Sequence, residues 1–450
     1  MARSSLPLIA SIALGNALVP LNSTMLVVAL PAIARDAGTD IAATSWLITT
    51  YLIAMAALQP IGGRLGDRFG RRRLMLGALT YFAVASIGAA LAQGLVLLAF
   101  FRLQQALAAA LIVPNGLGVL RSAAGDRAGM HFGIIGTISG TAASLGPLLG
   151  SLLVTIDWRL CFLVNVPLVA LAIVLARANV HDDVAHREAR FDVVGVVAMG
   201  LILTGAAWVL TSFGRGIDVA MVLLAVAVIG AAIMFVRYES ALADPALPPA
   251  LFRVPAFAAA NGAICFSNLS LYATLLAIPV LLASDPATTV LVGVALFALS
   301  AAMAVLGPFT GLAIDRFGAK WPPAAGGVLI AAGALATGAV VTGGSFPLLV
   351  VSLLVMGAGV SLTFPAARVA AVDAVPTRYV ALASGVLSTS RYFGGMLGAI
   401  AAGAVLTAFP HETRAPMLFT ILAGGGVLTT LSALGMPGSA HANGTATEAA

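Results

Sequence analysis

Charge is so sparse in these 450 residues, with Asp, Glu, Lys and Arg making up 9%, that each charged side chain set among apolar neighbours is a candidate for chemistry. Arg102 lies in LAFFRLQQALAAA with Gln104 and Gln105 beside it. A guanidinium in such surroundings is costly unless it faces a polar interior. Asp67, Arg68, Phe69 and Gly70, within PIGGRLGDRFGRRR, form a second group; they return 248 residues later, from 67 to 315, as Asp315, Arg316, Phe317 and Gly318. A carboxylate and guanidinium groups at the end of an apolar run can make and break ion pairs as helices move. A third group is polar but uncharged: Asn261, Asn268 and Tyr272 are spaced by seven and four residues, which keeps them on one face of a helix.

Other chemistry has no residues to carry it. There is no GxxxxGK[ST] phosphate loop, and the single lysine, Lys320, is followed by Trp321, which argues against ATP hydrolysis. Cys161 and Cys265 are far apart and read as small apolar residues. No nucleophile–base pair and no metal-ligand cluster occurs, and the five histidines are scattered. The expectation is no enzyme, no metal and no cofactor.

The elements that must position these groups follow from composition. A chain that is 60% hydrophobic, with a mean hydropathy of +1.06, needs lipid around it. Cutting at charged and Gly/Pro-rich breaks gives fourteen apolar segments near the roughly 20 residues that a bilayer-spanning helix takes. Helix 1 is expected at 6–30, helix 2 at 44–61, helix 4 at 95–120 and helix 5 at 129–156. Helices 7 and 8 are expected at 192–212 and 218–237, helix 9 at 256–283, helix 10 at 288–312 and helix 13 at 381–408. With a cytoplasmic N-terminus, seventeen basic residues fall on inner segments and four (Arg35, Arg159, Arg215 and Arg414) on outer loops. That bias places both termini inside and explains the net charge of +6 without a nucleic-acid partner.

The duplicated Asp-Arg-Phe-Gly aligns helix 2 with helix 10, and a Leu-Gly echo aligns Leu145-Gly146 with Leu397-Gly398, hence helix 5 with helix 13. The fold class expected is an all-α integral membrane protein: a six-helix bundle at 1–178, an inserted helix pair with its linkers at 179–255, a second six-helix bundle at 256–436 and a disordered tail at 437–450.

The residues Gly63, Leu65, Asp67, Arg68, Gly70, Arg71 and Arg72 match a Gly-x-Leu-x-Asp-Arg-x-Gly-Arg-Arg pattern. On that pattern the chain resembles the major facilitator superfamily, specifically its fourteen-helix drug:proton antiporters, over residues 6–436. WLITTYLIAMAALQP from Trp46 and DWRLCFLVNVP from Asp157 extend the likeness. The resemblance implies a conformational latch, with Asp67 pairing with Arg121 and capping a helix of the opposite half, and with Asp315 and Arg316 as the second copy. It also implies a proton-coupling role for Arg102. Gly146, Pro147 and Gly150 in helix 5 resemble the exporters' antiporter signature, with Ser151 and Ala142 departing from it.

Helix 1 departs from that family's Leu-Asp-x-Thr, because Asn22 stands where the carboxylate would be. All seventeen acidic residues fall in loops or at helix ends, which leaves Asp36 and His131 beside Arg102 as coupling candidates. Asn16, Asn22, Ser23 and Thr24 of helix 1 face the repeat-related Asn261, Asn268 and Tyr272 as the expected substrate cavity. Amides, hydroxyls, aromatics and one arginine suit neutral or weakly anionic amphipathic molecules better than multivalent cations. The function expected is export of small drug-like or metabolite molecules by alternating access, in exchange for protons and powered by the proton gradient. An uncoupled facilitator or importer is the alternative, and a non-transporting sensor a further one. The protein is expected in the plasma membrane (the cell inner membrane) as a monomer, with the bilayer and a small-molecule substrate as its partners.

Overall fold

The computed structural model describes residues 5–39, 41–124, 128–180, 192–212, 218–242, 245, 249–282, 286–341, 343, 345–376 and 380–438. In lipid every backbone N–H and C=O must be satisfied within its own segment, and the described residues accordingly form helices and no strand. In chain order these are α1 (Ser5–Asp36), α2 (Ile41–Phe69), α3 (Arg71–Ala90), α4 (Leu95–Ala124), α5 (Ala128–Val154), α6 (Leu160–Asn179, with a turn residue at Val164) and α7 (Val193–Ser212). They continue as α8 (Val219–Ala241), α9 (Pro255–Leu282), α10 (Pro286–Phe317), α11 (Trp321–Val340), α12 (Phe346–Asp373), α13 (Val380–Ala408) and α14 (His411–Ala433). Twelve are long and apolar enough to cross a membrane on their described residues alone. α2 and α5, of 29 and 27 residues, carry the shorter apolar stretches Ala43–Gln59 and Ile138–Val154.

The helices overrun the apolar runs. Asp36 is the last residue of α1 rather than a residue beyond it, and Asp67–Arg68 and Asp315–Arg316 sit in the last turns of α2 and α10 rather than in loops. Charged side chains end an apolar run without ending a helix, and a basic residue in the last turn complements the helix dipole. What stops α2 is Gly70, at φ +91°, and what stops α10 is Gly318, at φ +78°. A left-handed residue at this point suits glycine alone. The two stops are built alike. Each glycine N–H donates to the carbonyl four residues back at 2.8 Å, Gly70 to Gly66 and Gly318 to Ile314. Arg68 lies over the Phe69 ring at 5.4 Å, and Arg316 over Phe317 at 5.3 Å. The sequence repeat is therefore a repeat of local structure.

Packing repeats as well. α5 lies along α1, and α13 along α9. Glycines make both approaches close: a Cβ at Gly150 would stand 2.8 Å from the Met25 carbonyl oxygen, and one at Gly146 3.0 Å from that of Leu21. In the second pair, Gly394 faces the backbone of Cys265 and Gly398 that of Leu269. Small residues at helical spacing let backbones touch. α1–α6 meet α9–α14 chiefly where α5 packs on α10 and α2 on α13. Ser144 Oγ donates to the Ser300 carbonyl at 2.6 Å, and Thr389 Oγ1 to that of Ala56 at 3.0 Å. The inserted α7 docks against α2 and α13, with Trp46 and Trp208 rings 6.2 Å apart, whereas α8 is exposed along nearly its whole length.

Candidate functional site

Helices that are apolar all round leave their few polar side chains conspicuous, and those of α2, α4, α9 and α13 converge. Arg102 of α4, only 1% exposed, donates through Nη1 to Gln105 Oε1 at 2.7 Å, and Gln105 Nε2 reaches Ser86 Oγ of α3 at 2.8 Å. Its guanidinium lies over the ring of Tyr51 in α2, 4.4 Å from the centroid, and its Nε has no hydrogen-bond partner. The buried Tyr51 hydroxyl has Ser23 of α1 as a near neighbour and no partner of good hydrogen-bond geometry. From the other set, Arg391 of α13 lies 5.2 Å from the Tyr392 ring and 5.4 Å from that of Phe364, within hydrogen-bonding reach of Tyr272 in α9. Tyr51 and Tyr272 are each within electrostatic reach of both guanidinium groups. Two arginines and three tyrosines, drawn from both sets of six helices, thus form one centre.

No carboxylate joins it. Every acidic residue among those described lies outside a helix or within three residues of a helix end: Asp36, Asp67, Asp157, Asp192, Asp218, Glu239, Asp315, Asp373 and Glu412. Holding an unpaired charge away from water costs several kcal/mol. A cation–π contact returns only about 0.5–2 kcal/mol, so the rings offset part of that cost. The centre carries two positive charges without protein counter-charge.

The sequence-predicted residues divide accordingly. Arg102, Ser23 and Tyr272 belong to the centre. Asn22 does not face it openly: its Oδ1 accepts from Asn165 Nδ2 of α6 at 3.0 Å, so the residue in the place of a carboxylate is half of a buried amide pair. Asn16, Asn261 and Asn268 each donate to the carbonyl one turn earlier in their own helices, at 2.8–2.9 Å, and Asn261 also accepts from Ser390 Oγ at 2.8 Å. Thr24 bonds back to the Pro20 carbonyl at 2.9 Å and packs on Gly146. Gly146, Pro147 and Gly150 are buried, the glycines against α1 and Pro147 towards Gly293 of α10. Asp36 is exposed at one end of the bundle, accepting from Trp158 Nε1 at 3.2 Å and pairing with Arg159 at 3.1 Å, far along α1 from the centre.

At the opposite end, Gly62 and Gly66 of α2 pack on α4 around Asn115, whose Nδ2 reaches the Gly62 carbonyl at 2.9 Å, and Gly63 lies beside Pro114. Arg71 Nη1 donates to the Gly118 carbonyl of α4 at 2.9 Å, and Arg72 Nη2 to the Arg177 carbonyl at 3.2 Å, one of those left without an intrahelical donor at the end of α6. Arg68, Asp315 and Arg316 are exposed. The side chains of Asp67, Arg121 and His131, and so the Asp67–Arg121 pairing, lie outside the described residues, as does the tail beyond residue 438.

Arg391 has no site role in the sequence reading, because its position along helix 13 does not show which neighbour it meets. The crossing of α13 over α9 is what brings it to Tyr272. Tyr51, Tyr392 and Asn165 are missed altogether. A weak signal was available: four of the six tyrosines, Tyr51, Tyr81, Tyr272 and Tyr392, lie in apolar spans, and three of the four meet at the centre, whereas Tyr81 pairs with Gln104.

Comparison with known proteins agrees with this architecture. The model of the Major Facilitator Superfamily matches residues 12–192 and 260–449. The chain is 31% identical over 430 residues to the multidrug resistance protein Stp of Mycobacterium tuberculosis (strain ATCC 25618 / H37Rv), covering 93% of this chain and 79% of that one. It is 29% identical over 407 residues to the tetracenomycin C resistance and export protein of Streptomyces glaucescens, covering 89% and 76%. A crystal structure of a peptide transporter POT in complex with sulfate superposes with a TM-score of 0.70 at 16% identity, covering 96% of this chain and 95% of that one; at that identity the likeness is one of fold.

Proposed function

The chain belongs to the Major Facilitator Superfamily, it is a multi-pass membrane transporter and no enzyme, and we propose that it exports small amphipathic molecules by alternating access of the sets at 1–178 and 256–436 around the arginine–tyrosine centre. One observation carries this reading: Arg102 and Tyr51 come from one set, Tyr272, Arg391 and Tyr392 from the other, and they meet in mid-bundle. A group bound there touches both sets, so their relative movement changes its access. The resistance and export proteins among its relatives support efflux as the direction. The seventeen-to-four bias of basic residues supports both termini lying on the cytoplasmic side of the plasma membrane.

Exchange for protons needs a titrating group, and in this reading Arg102 is the charge that responds to it. A second reading, uncoupled transport, is favoured by a specific observation: the centre has no carboxylate, and Asn22 is paired with Asn165. Everted vesicles with an acid interior separate the two. Substrate-induced alkalinisation that Arg102→Ala abolishes is the result expected of a proton antiporter. Substrate flux with no proton movement establishes the uncoupled form, and absence of flux for every amphipathic compound tried overturns the exporter reading.

A further inference from the structure

Resting on that exporter reading, we infer that the transported molecule is an amphipathic organic anion, its carboxylate or phenolate held by Arg102 and further attracted by the charge of Arg391 where the two helix sets meet. The centre has the charge of a built anion site. Arg102 is buried to 1% exposure, its Nε is unpartnered, and Nη1 has only the neutral Gln105 amide as acceptor. Arg391 has aromatic rings and a phenol around it and no acid. The described carboxylates all stand at helix ends or beyond, so none can swing in to neutralise either guanidinium without leaving the membrane boundary. An anion supplies what the protein omits.

The surrounding groups define the rest of the ligand. The Tyr51 hydroxyl, on the ring that Arg102 covers and without a partner of good geometry, supplies a further donor for a bound oxygen. The Tyr51, Tyr392 and Phe364 rings present flat apolar faces, suited to an aromatic or polycyclic body. A cation on the same body meets like charge and no carboxylate.

The test uses the full chain in lipid nanodiscs and in proteoliposomes. Naphthyl, biphenyl and anthracenyl bodies are each offered as the carboxylate, the methyl ester and the trimethylammonium, with binding measured calorimetrically and exchange by radiolabel counterflow. The expected result is that the carboxylates bind about tenfold or more tighter than the matched esters and ammonium compounds. Arg102→Gln and Arg391→Gln each lose about tenfold for the carboxylate, while Arg391→Lys retains part of it. Unfolding midpoints within a few degrees of the parent identify which variants are folded; Tyr272→Phe provides a milder change that keeps the packing on Gly395. Equal or tighter binding of the ammonium series, or carboxylate binding indifferent to both Arg→Gln changes, overturns the anion assignment and leaves the exporter standing. If no member of any series exchanges, the exporter reading itself falls and the inference with it.

Discussion

Two glycines of one helix, Gly140 and Gly150, look interchangeable in sequence, yet the structure predicts opposite responses to alanine. A Cβ at Gly150 would stand 2.8 Å from the Met25 carbonyl oxygen and 3.0 Å from its Cα, whereas one at Gly140 meets Ala304 Cα at 3.8 Å and Cβ at 4.0 Å. Backbone atoms cannot rotate aside, so Gly150→Ala must push α5 from α1 by roughly 0.5 Å to restore ordinary contact, forfeiting about a quarter of each dispersion contact along the seam. Overpacking of this kind costs about 1–3 kcal/mol. Gly140→Ala meets normal van der Waals contact and gains up to about 1 kcal/mol of helix propensity. The two variants should therefore differ by about 1–4 kcal/mol, with Gly150→Ala below the parent and Gly140→Ala at or above it. Unfolding in mixed micelles titrated with SDS, followed by tryptophan fluorescence, measures both. Equal shifts of the same sign would refute the claim that backbone proximity, rather than small size in general, fixes glycine at 150.

Two further expectations rest on single contacts. Ser144→Ala with Thr389→Val removes the hydroxyls that bond across the two helix sets, at about 0.5–1.5 kcal/mol each; the population in which the sets separate along these seams should rise about 5- to 150-fold, read as a longer spin-label distance between α5 and α10. Asn22→Asp places a carboxylate against Asn165 in a buried position. A titratable group there should give transport a pH dependence additional to whatever the parent shows, measured as flux against pH for both proteins; superimposable profiles would refute it.

The membrane class and the repeat were legible in the chain because they are written in charge, the scarcest property it has. Fourteen spans follow from where charges interrupt apolar runs, and Asp-Arg-Phe-Gly marks equivalent turns because only glycine takes the φ of Gly70 and Gly318. Helix ends were less legible, since a charge at Arg68 or Asp36 marks the edge of an apolar run and not of a helix. The centre was legible only in part. Arg102 announces itself as an arginine among leucines and alanines, but helices that are apolar on every side carry no periodic signal of which face meets which neighbour. The partners Tyr51, Arg391 and Tyr392 are set by the crossings of α2, α9 and α13, and the Asn22–Asn165 pair joins residues 143 apart in sequence.

The missing carboxylate finally bears on the source of power. On the uncoupled reading, a carrier that holds a monoanion and contributes no titrating group moves one net negative charge per cycle, so the transmembrane voltage acts on it directly. Across a membrane that is negative inside, about 100 mV is worth about 2.3 kcal/mol per elementary charge, enough for an outside-to-inside ratio of about 50-fold without any proton gradient. Valinomycin-set potassium potentials across proteoliposomes should then drive the naphthyl carboxylate outward with a rate that rises with voltage and ignores a protonophore at clamped potential. With an amide pair at Asn22 and Asn165 in place of an acid, helix 1 would in this way serve an electrical exporter.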